Sequence, residues 1–115
     1  MKYILYYCKI FLTIMVKAPI ERLKKKLLKE NLWLFIFRLL KEGDCHAYKL
    51  RRRIKEEFGF WTGSVTGYKV LYLLEKGGYV ESYREGRRKF YRLTEKGLKQ
   101  LEEAKNFLKE IYSLI

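Results

Sequence analysis

The sequence predicts a mainly α-helical domain that carries one small β-hairpin. Three observations predict it. Apolar residues recur at helical spacing over four segments, and the period drops to two between Val80 and Leu93 around Glu85-Gly86. One Pro and eight Gly leave room only for short connections. The 115 residues suit a single core, and 49% hydrophobic and 17% aromatic residues can fill it. Disorder as the overall state is excluded by that apolar content, despite a net charge of +13.

The first stretch, residues 1–16, is apolar but broken by Lys9, and it is too short for a membrane span. No small-residue cleavage site follows it. Met15 is an alternative start, which would make residues 1–14 an upstream read-through; a segment packing on the domain or on a partner is the second reading, and a membrane anchor the third and least favoured. Residues 1–19 are therefore set apart as an extension. From Ile20 to Lys41 the chain lacks Pro and Gly and is rich in Leu, Lys, Glu and Arg, which predicts one long helix. Its first half is basic, a solvated face. Its second half, Leu32 to Phe37, is apolar all round and predicts the central helix of the core. Trp33 belongs to that core, or lines a ligand pocket with Phe107 and Tyr112 at a dimer interface.

Gly43 ends this helix, and a second runs from about Ala47 to Phe58 with Leu50, Ile54 and Phe58 inward. A third runs from Ser64, read as its N-cap, to Lys76, with Tyr68, Leu71 and Leu74 or Glu75 inward. Val80–Arg84 and Arg88–Leu93 form the hairpin. Thr94 caps a last helix to about Leu114, whose apolar positions Leu98, Leu101, Ala104, Leu108, Ile111 and Ile115 keep 3-4 spacing.

Charge is divided unevenly along this order. Residues 64–93 carry seven bases against three acids, whereas residues 94–115 carry four of each. One part is suited to a polyanion and the other to protein contact. Two Cys, Cys8 and Cys45, form no zinc spacing, and a disulfide between them cannot be read from sequence. A single His, His46, with no nucleophile beside it, removes triad and metal-cluster chemistry; a capping or DNA-backbone role suits it better. No phosphate loop or paired catalytic carboxylates are present, so the chain is read as no enzyme and as needing no cofactor or metal.

Three helices followed by a basic hairpin describe a winged helix-turn-helix, residues 20–93, with residues 94–115 as a dimerisation helix. The third helix then meets base edges in a DNA major groove through Ser64, Thr66, Tyr68, Lys69 and Tyr72. Tyr48, Lys49 and Arg52 of the second helix and Arg84, Arg87, Arg88 and Lys89 of the wing meet the backbone or a narrow minor groove. Leu73 lies off the inward stripe of a helix read as exposed, and either touches a thymine methyl or marks a phase error of one position.

His46-Ala47-Tyr48-Lys49-Leu50, the segment Tyr68–Gly78, and the run Arg87 to Gly97 (Arg-Arg-Lys-Phe-Tyr-Arg-Leu-Thr-Glu-Lys-Gly) resemble the PadR family of transcriptional regulators. That family shows a His-Gly-Tyr-Glu-Leu-like entry to the second helix and a Gly-Thr-Leu-Tyr-Pro-like start to the third. Thr66 and Tyr68 fall on its Thr and Tyr, while Ala47 replaces Gly, Lys69 replaces Pro, and Tyr72-Leu73 replace polar or basic residues. The resemblance spans about residues 30–114. It implies a cytoplasmic, homodimeric repressor that binds double-stranded DNA at a palindromic operator and has no membrane partner. It implies dimerisation through the last helix, where the stripe of Leu98, Leu101, Leu108 and Ile111 exceeds what one core covers, and in some members a small aromatic effector. Two other readings stay open: a winged-helix module for protein–protein contact, and a nucleic-acid binder with little sequence preference.

Overall fold

A computed structural model describes residues 18–61 and 63–115. The segment 1–16, the alternative start at Met15 and Cys8 lie outside the described residues. Two units are delimited, divided between Asn31 and Leu32. Of the first, the described part is α1 (Pro19–Lys29), with Pro19 in its first turn, where a missing N–H costs nothing. Glu21 near its start and Lys26 and Lys29 near its end match the helix dipole.

The single helix expected over Ile20–Lys41 is in fact two. α1 stops at a Glu30-Asn31 turn and α2 runs from Leu32 to Glu42. The physical reason lies in Asn31: its side-chain Nδ2 donates to the Lys26 carbonyl at 3.3 Å, and Glu30 N–H donates to the same oxygen at 3.2 Å. A side-chain amide that takes a backbone carbonyl competes with the helical ladder.

In the second unit α2 is the hub. Leu32, Ile36, Phe37, Leu39 and Leu40 are buried at i, i+4 and i+7 spacing, and α2 meets each of the remaining helices and the central strand. Phe35 stacks obliquely on Phe58 at 4.8 Å and edge-on to Phe60 at 5.2 Å, and so joins α2 to the second helix of the unit. That helix, α3 (Ala47–Phe58), buries Leu50 and Ile54 as expected. It is preceded by a two-residue strand, β1 (Cys45–His46), which the sequence pattern did not announce. Two residues show no period, so only pairing with a later strand defines it.

α4 (Ser64–Lys76) follows. Its N-cap is Gly63 rather than Ser64, since the first helical bond runs from Gly67 N–H to the Gly63 carbonyl. Its inward stripe also turns from the expected one: Gly67 and Leu71 are buried, with Val70, Leu74 and Glu75 half-buried, while Tyr68 is 60% exposed. The reason is Trp61, whose ring occupies the space under the first turn of α4. A Cβ at Gly67 would lie 2.7 Å from Trp61 Cζ2, so the helix rests on glycine instead of tyrosine.

β2 (Val80–Glu85) and β3 (Arg88–Leu93) pair antiparallel from Val80 with Leu93 to Glu85 with Arg88. The loop is Gly86-Arg87, with φ of +64° at Gly86, a conformation that glycine adopts without strain. β1 adds to the other edge of β3 through Cys45–Tyr91 and His46–Phe90, which gives the order β1-β3-β2. Cys45 is a buried thiol, and burial pushes its pKa up.

The last helix, α5 (Glu95–Leu114), is capped by Thr94, whose Oγ1 accepts from Gly97 N–H at 3.1 Å. Only Gly97 and Leu101 are fully buried, and every residue from Lys105 onward is exposed. Leu101, assigned by pattern to a dimer contact, therefore belongs to the core of its own chain at 2% exposure. Among the described residues no helix is long and apolar enough to cross a membrane.

Close approach of α5 to the Tyr79 backbone gives the first testable outcome. A Cβ at position 97 would collide with the Tyr79 carbonyl oxygen and lie 2.6 Å from Leu93 Cδ1. Helix propensity alone favours Gly97→Ala by about 1 kcal/mol. The collision should win, with a net loss of about 1–3 kcal/mol and a lowered melting temperature. A variant that melts higher than the parent would show that the junction is looser than this.

Candidate nucleic-acid interface

Turning α4 onto Gly67, Leu71 and Leu74 leaves a defined outer face. Val65, Lys69, Tyr72 and Lys76 follow i, i+4, i+7, i+11 along its centre, with Thr66 and Leu73 on one flank and Tyr68 on the other. All are exposed, Val65 at 83%, Tyr72 at 63% and Leu73 at 53%. The start of the stripe is shifted by one position, from Tyr68 to Gly67, and Leu73 stays off it all the same. Val65 was missed as a candidate because an aliphatic side chain in a helix is normally assigned to a core.

Glu75 holds this helix to the wing. Its carboxylate accepts from Ser82 Oγ at 2.9 Å and pairs with Lys89 Nζ at 3.4 Å. Lys89, listed by pattern with the free wing cations, is accordingly partly neutralised. Arg88 also has a partner, since its Nη1 lies 3.0 Å from His46 Nε2. Arg84 and Arg87 at the hairpin tip are exposed, and neither has an acid within 4 Å among the described residues. The same holds for Lys49 and Lys69, whereas Arg52 has a loose 3.8 Å pair with Glu56. Arg92 turns back into the structure, stacking 5.1 Å over Tyr83 and pairing with Asp44 at 3.3 Å. Tyr83 Oη donates to the same carboxylate at 2.7 Å, which raises the tyrosine pKa.

His46 caps α3. Its Nδ1 accepts from Lys49 N–H at 3.2 Å, which orients Tyr48 and Lys49 at the first turn. A neutral imidazole accepts at one nitrogen only, so the ring takes either the Lys49 amide or Arg88, and an imidazolium takes neither. Burial, followed by the charges of Arg88, Lys49 and Arg52, keeps its pKa below the usual histidine value.

An open groove of about 420 Å³ lies where α3, α4 and β3 meet, lined by His46, Ala47, Tyr48, Tyr68, Arg88, Lys89 and Tyr91. Its wall is mostly apolar, formed by tyrosine rings and Ala47, with Arg88 and Lys89 as the two cations that could meet a phosphate backbone. The structure brings Thr66, Tyr68, Lys69 and Tyr72 together on the outer face of α4, whereas Ser64 falls on the inner side of its first turn, beside Trp61, Gly67 and Leu71. Tyr48, Arg88 and Lys89 line the adjoining groove, Lys49 follows on the first turn of α3 outside that lining, and Arg84 and Arg87 stand at the wing tip. Arg52 sits one turn further along α3. The imagined aromatic pocket is not assembled within one chain: Trp33 packs edge-on to Phe37 at 5.3 Å and lines a shallow hollow with Leu74, Tyr79 and Gln100. Phe107 and Tyr112 are exposed on the distal part of α5.

Comparison with known proteins places these features in a wider set. The model of the transcriptional regulator PadR-like family matches residues 36–103, from within α2 into α5. A transcriptional regulator from Clostridium thermocellum is 26% identical over 77% of this chain and 93% of its own, with a TM-score of 0.69. A PadR family regulator from hypervirulent Clostridium difficile is 26% identical over 71% and 91%, with a TM-score of 0.67. A PadR-like regulator from Bacillus cereus is 25% identical over 77% and 91%, with a TM-score of 0.68. No curated protein matches the chain.

The His46 cap generates a pH dependence with a definite sign. Its folded pKa lies below 6.5, so between that lowered value and 6.5 the unfolded chain binds more protons than the folded one. Stability therefore rises with pH across this window and is lost as pH falls through it. Thermal melts from about pH 5 to pH 7.5 should show the slope. His46→Asn keeps a capping side chain without a titrating ring and should flatten it. The same slope in the variant would assign the effect to another group.

Proposed function

The chain belongs to the PadR-like family of transcriptional regulators, and on that premise we propose that it is a homodimeric repressor bound to a palindromic DNA operator. The observation that carries this reading is the arrangement of cations. Lys69 on α4, Lys49 on the first turn of α3, and Arg84 and Arg87 on the wing lack acid partners among the described residues, whereas Arg38, Arg53 and Arg92 are tied to Glu42, Glu57 or Asp44. The paired arginines have their charge compensated within the fold. The unpaired ones are left for phosphate, where each contact releases counterions.

In this reading α4 enters the major groove from its N-terminal half. Thr66, Tyr68, Lys69 and Tyr72 face base edges, and Ser64 lies at the groove entrance. Tyr48, Lys49 and Arg52 of α3 meet one backbone, and the wing tip meets the other or reaches into the minor groove. Arg88 and Lys89 act partly by positioning, because each is already held to the helical part of the fold.

The distal half of α5 supports the second copy. Leu108 and Ile111 are 39% and 41% exposed, and Leu98, at 36%, continues the stripe toward the core. Apolar surface left in water is unfavourable by roughly 25 cal/mol per Å². A two-fold partner covers it and sets two copies of α4 about 34 Å apart, on successive major-groove turns. Leu101 serves this only indirectly, by fixing α5 on α2.

Two experiments test the proposal. Arg84→Ala with Arg87→Ala should lower affinity for all sequences and reduce the slope of log K against log salt by about two. Lys89→Ala should reduce it less, since Glu75 already neutralises that ammonium. An unchanged slope in the double variant would remove the wing tip from the interface.

For assembly, Leu108→Lys with Ile111→Lys should leave the helical content and the buried Leu101 in place while giving a monomer in sedimentation. Operator binding should weaken sharply, and the operator should bind at least about a thousandfold tighter than random DNA in the parent chain. A parent monomer at micromolar concentration, or a variant that still dimerises, would overturn the assembly. A ratio near one would favour a binder without sequence preference, and no DNA binding would favour a protein-contact module.

A further inference from the structure

On the reading that α4 lies in a major groove, we propose that Val65 and Leu73 select thymines by their C5-methyl groups. The inference starts from what α4 lacks. Its thirteen residues contain no Arg, Asn, Gln or Asp, and its one acid, Glu75, is occupied by Ser82 and Lys89. Bidentate reading of guanine uses Arg or Lys, and that of adenine uses Asn or Gln. Near the helix start only Lys69 remains for guanine, with the Thr66 and tyrosine hydroxyls as adaptable partners.

What the face does present is aliphatic. Val65 stands at its centre and is 83% exposed, and Leu73 on its flank is 53% exposed. Neither packs in the core, and an apolar side chain at such a site is stabilised only by a partner that covers it. The surroundings fix the chemistry of that partner. Lys69 and Lys76 share the face, and Arg84 and Arg87 stand on the wing. An anionic partner with apolar groups at its centre matches both features of this face. In a DNA major groove the thymine methyl is the one apolar group that a base edge offers. Val65 and Leu73 are eight positions apart, about 12 Å along the helix axis, so they address separate base pairs.

The test begins with enrichment of duplexes from a random library by the full chain, followed by titration on the enriched site. Thymines should recur in each half-site. Replacing one contacted thymine by deoxyuridine, which lacks only the methyl, should weaken binding about fourfold, the equivalent of one buried methyl group. In Val65→Ala the penalty should vanish at one thymine, and in Leu73→Ala at another. 5-Methylcytosine in place of cytosine at the same position should recover part of the loss. Circular dichroism melts of both variants should match the parent, because the two side chains are exposed; Val65→Thr, which keeps the branched shape and one methyl, provides a second variant at the more central position. Enriched sites whose deoxyuridine forms bind equally well, or penalties unchanged in both variants, would overturn this inference and leave the regulator reading standing. Failure to enrich any DNA site would overturn both.

Discussion

The carbonyl of Tyr79 is where the end of α4, the start of the wing and the start of α5 are fixed to one another. It accepts from Thr94 N–H at 3.2 Å and lies 2.9 Å from Thr94 Oγ1, while the absence of a side chain at Gly97 lets α5 approach it. Thr94 Oγ1 also lies 2.7 Å from the Gly78 carbonyl and caps α5 through Gly97 N–H. One hydroxyl thus serves as the cap of one helix and as a tie to the exit of another. Because the first wing pair is Val80 with Leu93, both flanking residues of that pair, Tyr79 and Thr94, are held in this knot. The angle between the proposed DNA-reading face and the proposed dimer helix is set within these few residues. Small errors here would be carried outward along α5, whose 20 residues reach about 30 Å.

Electrostatics separates the cations into two populations. Arg53 donates to Glu42 at 2.6 Å and Glu57 at 3.2 Å, and Arg38 donates to Glu42 at 2.7 Å; together they hold the Glu42 carboxyl below the ordinary carboxylate range. Lys41 reaches Glu102 at 3.2 Å across α2 and α5. These exposed pairs each contribute little in water, but they align helix ends and leave their charge compensated. The wing tip and the outer face of α4 have no such compensation: Lys69, Lys76, Arg84 and Arg87 find no acid within 4 Å among the described residues. Glu75 is the exception that organises this side, because it spends its charge on the wing and leaves the reading face without an acid.

Apart from the break at Glu30-Asn31 and the two-residue strand β1, the sequence by itself determined the order of elements, and for a definite reason. Helical and strand periods are local properties, and Leu50, Ile54 and Phe58, or Tyr91 against Phe90, reveal them without knowledge of the partner surface. The resemblance carried by His46 to Leu50 and Arg87 to Gly97 identified the family, and the wing cations were visible as charges near a turn. The tertiary structure decided what depends on residues distant in the chain. The strand Cys45–His46 exists only because β3 lies beside it. Tyr68 is outside because Trp61 fills the space beneath Gly67, and Leu101 is inside because α2 passes there, although its spacing matches that of exposed Leu108. Which bases are free was likewise unreadable, since Lys89 and Arg88 find Glu75 and His46 across 14 and 42 positions. Periodicity records which face of an element is apolar; only packing decides which neighbour claims that face and which charges are left over.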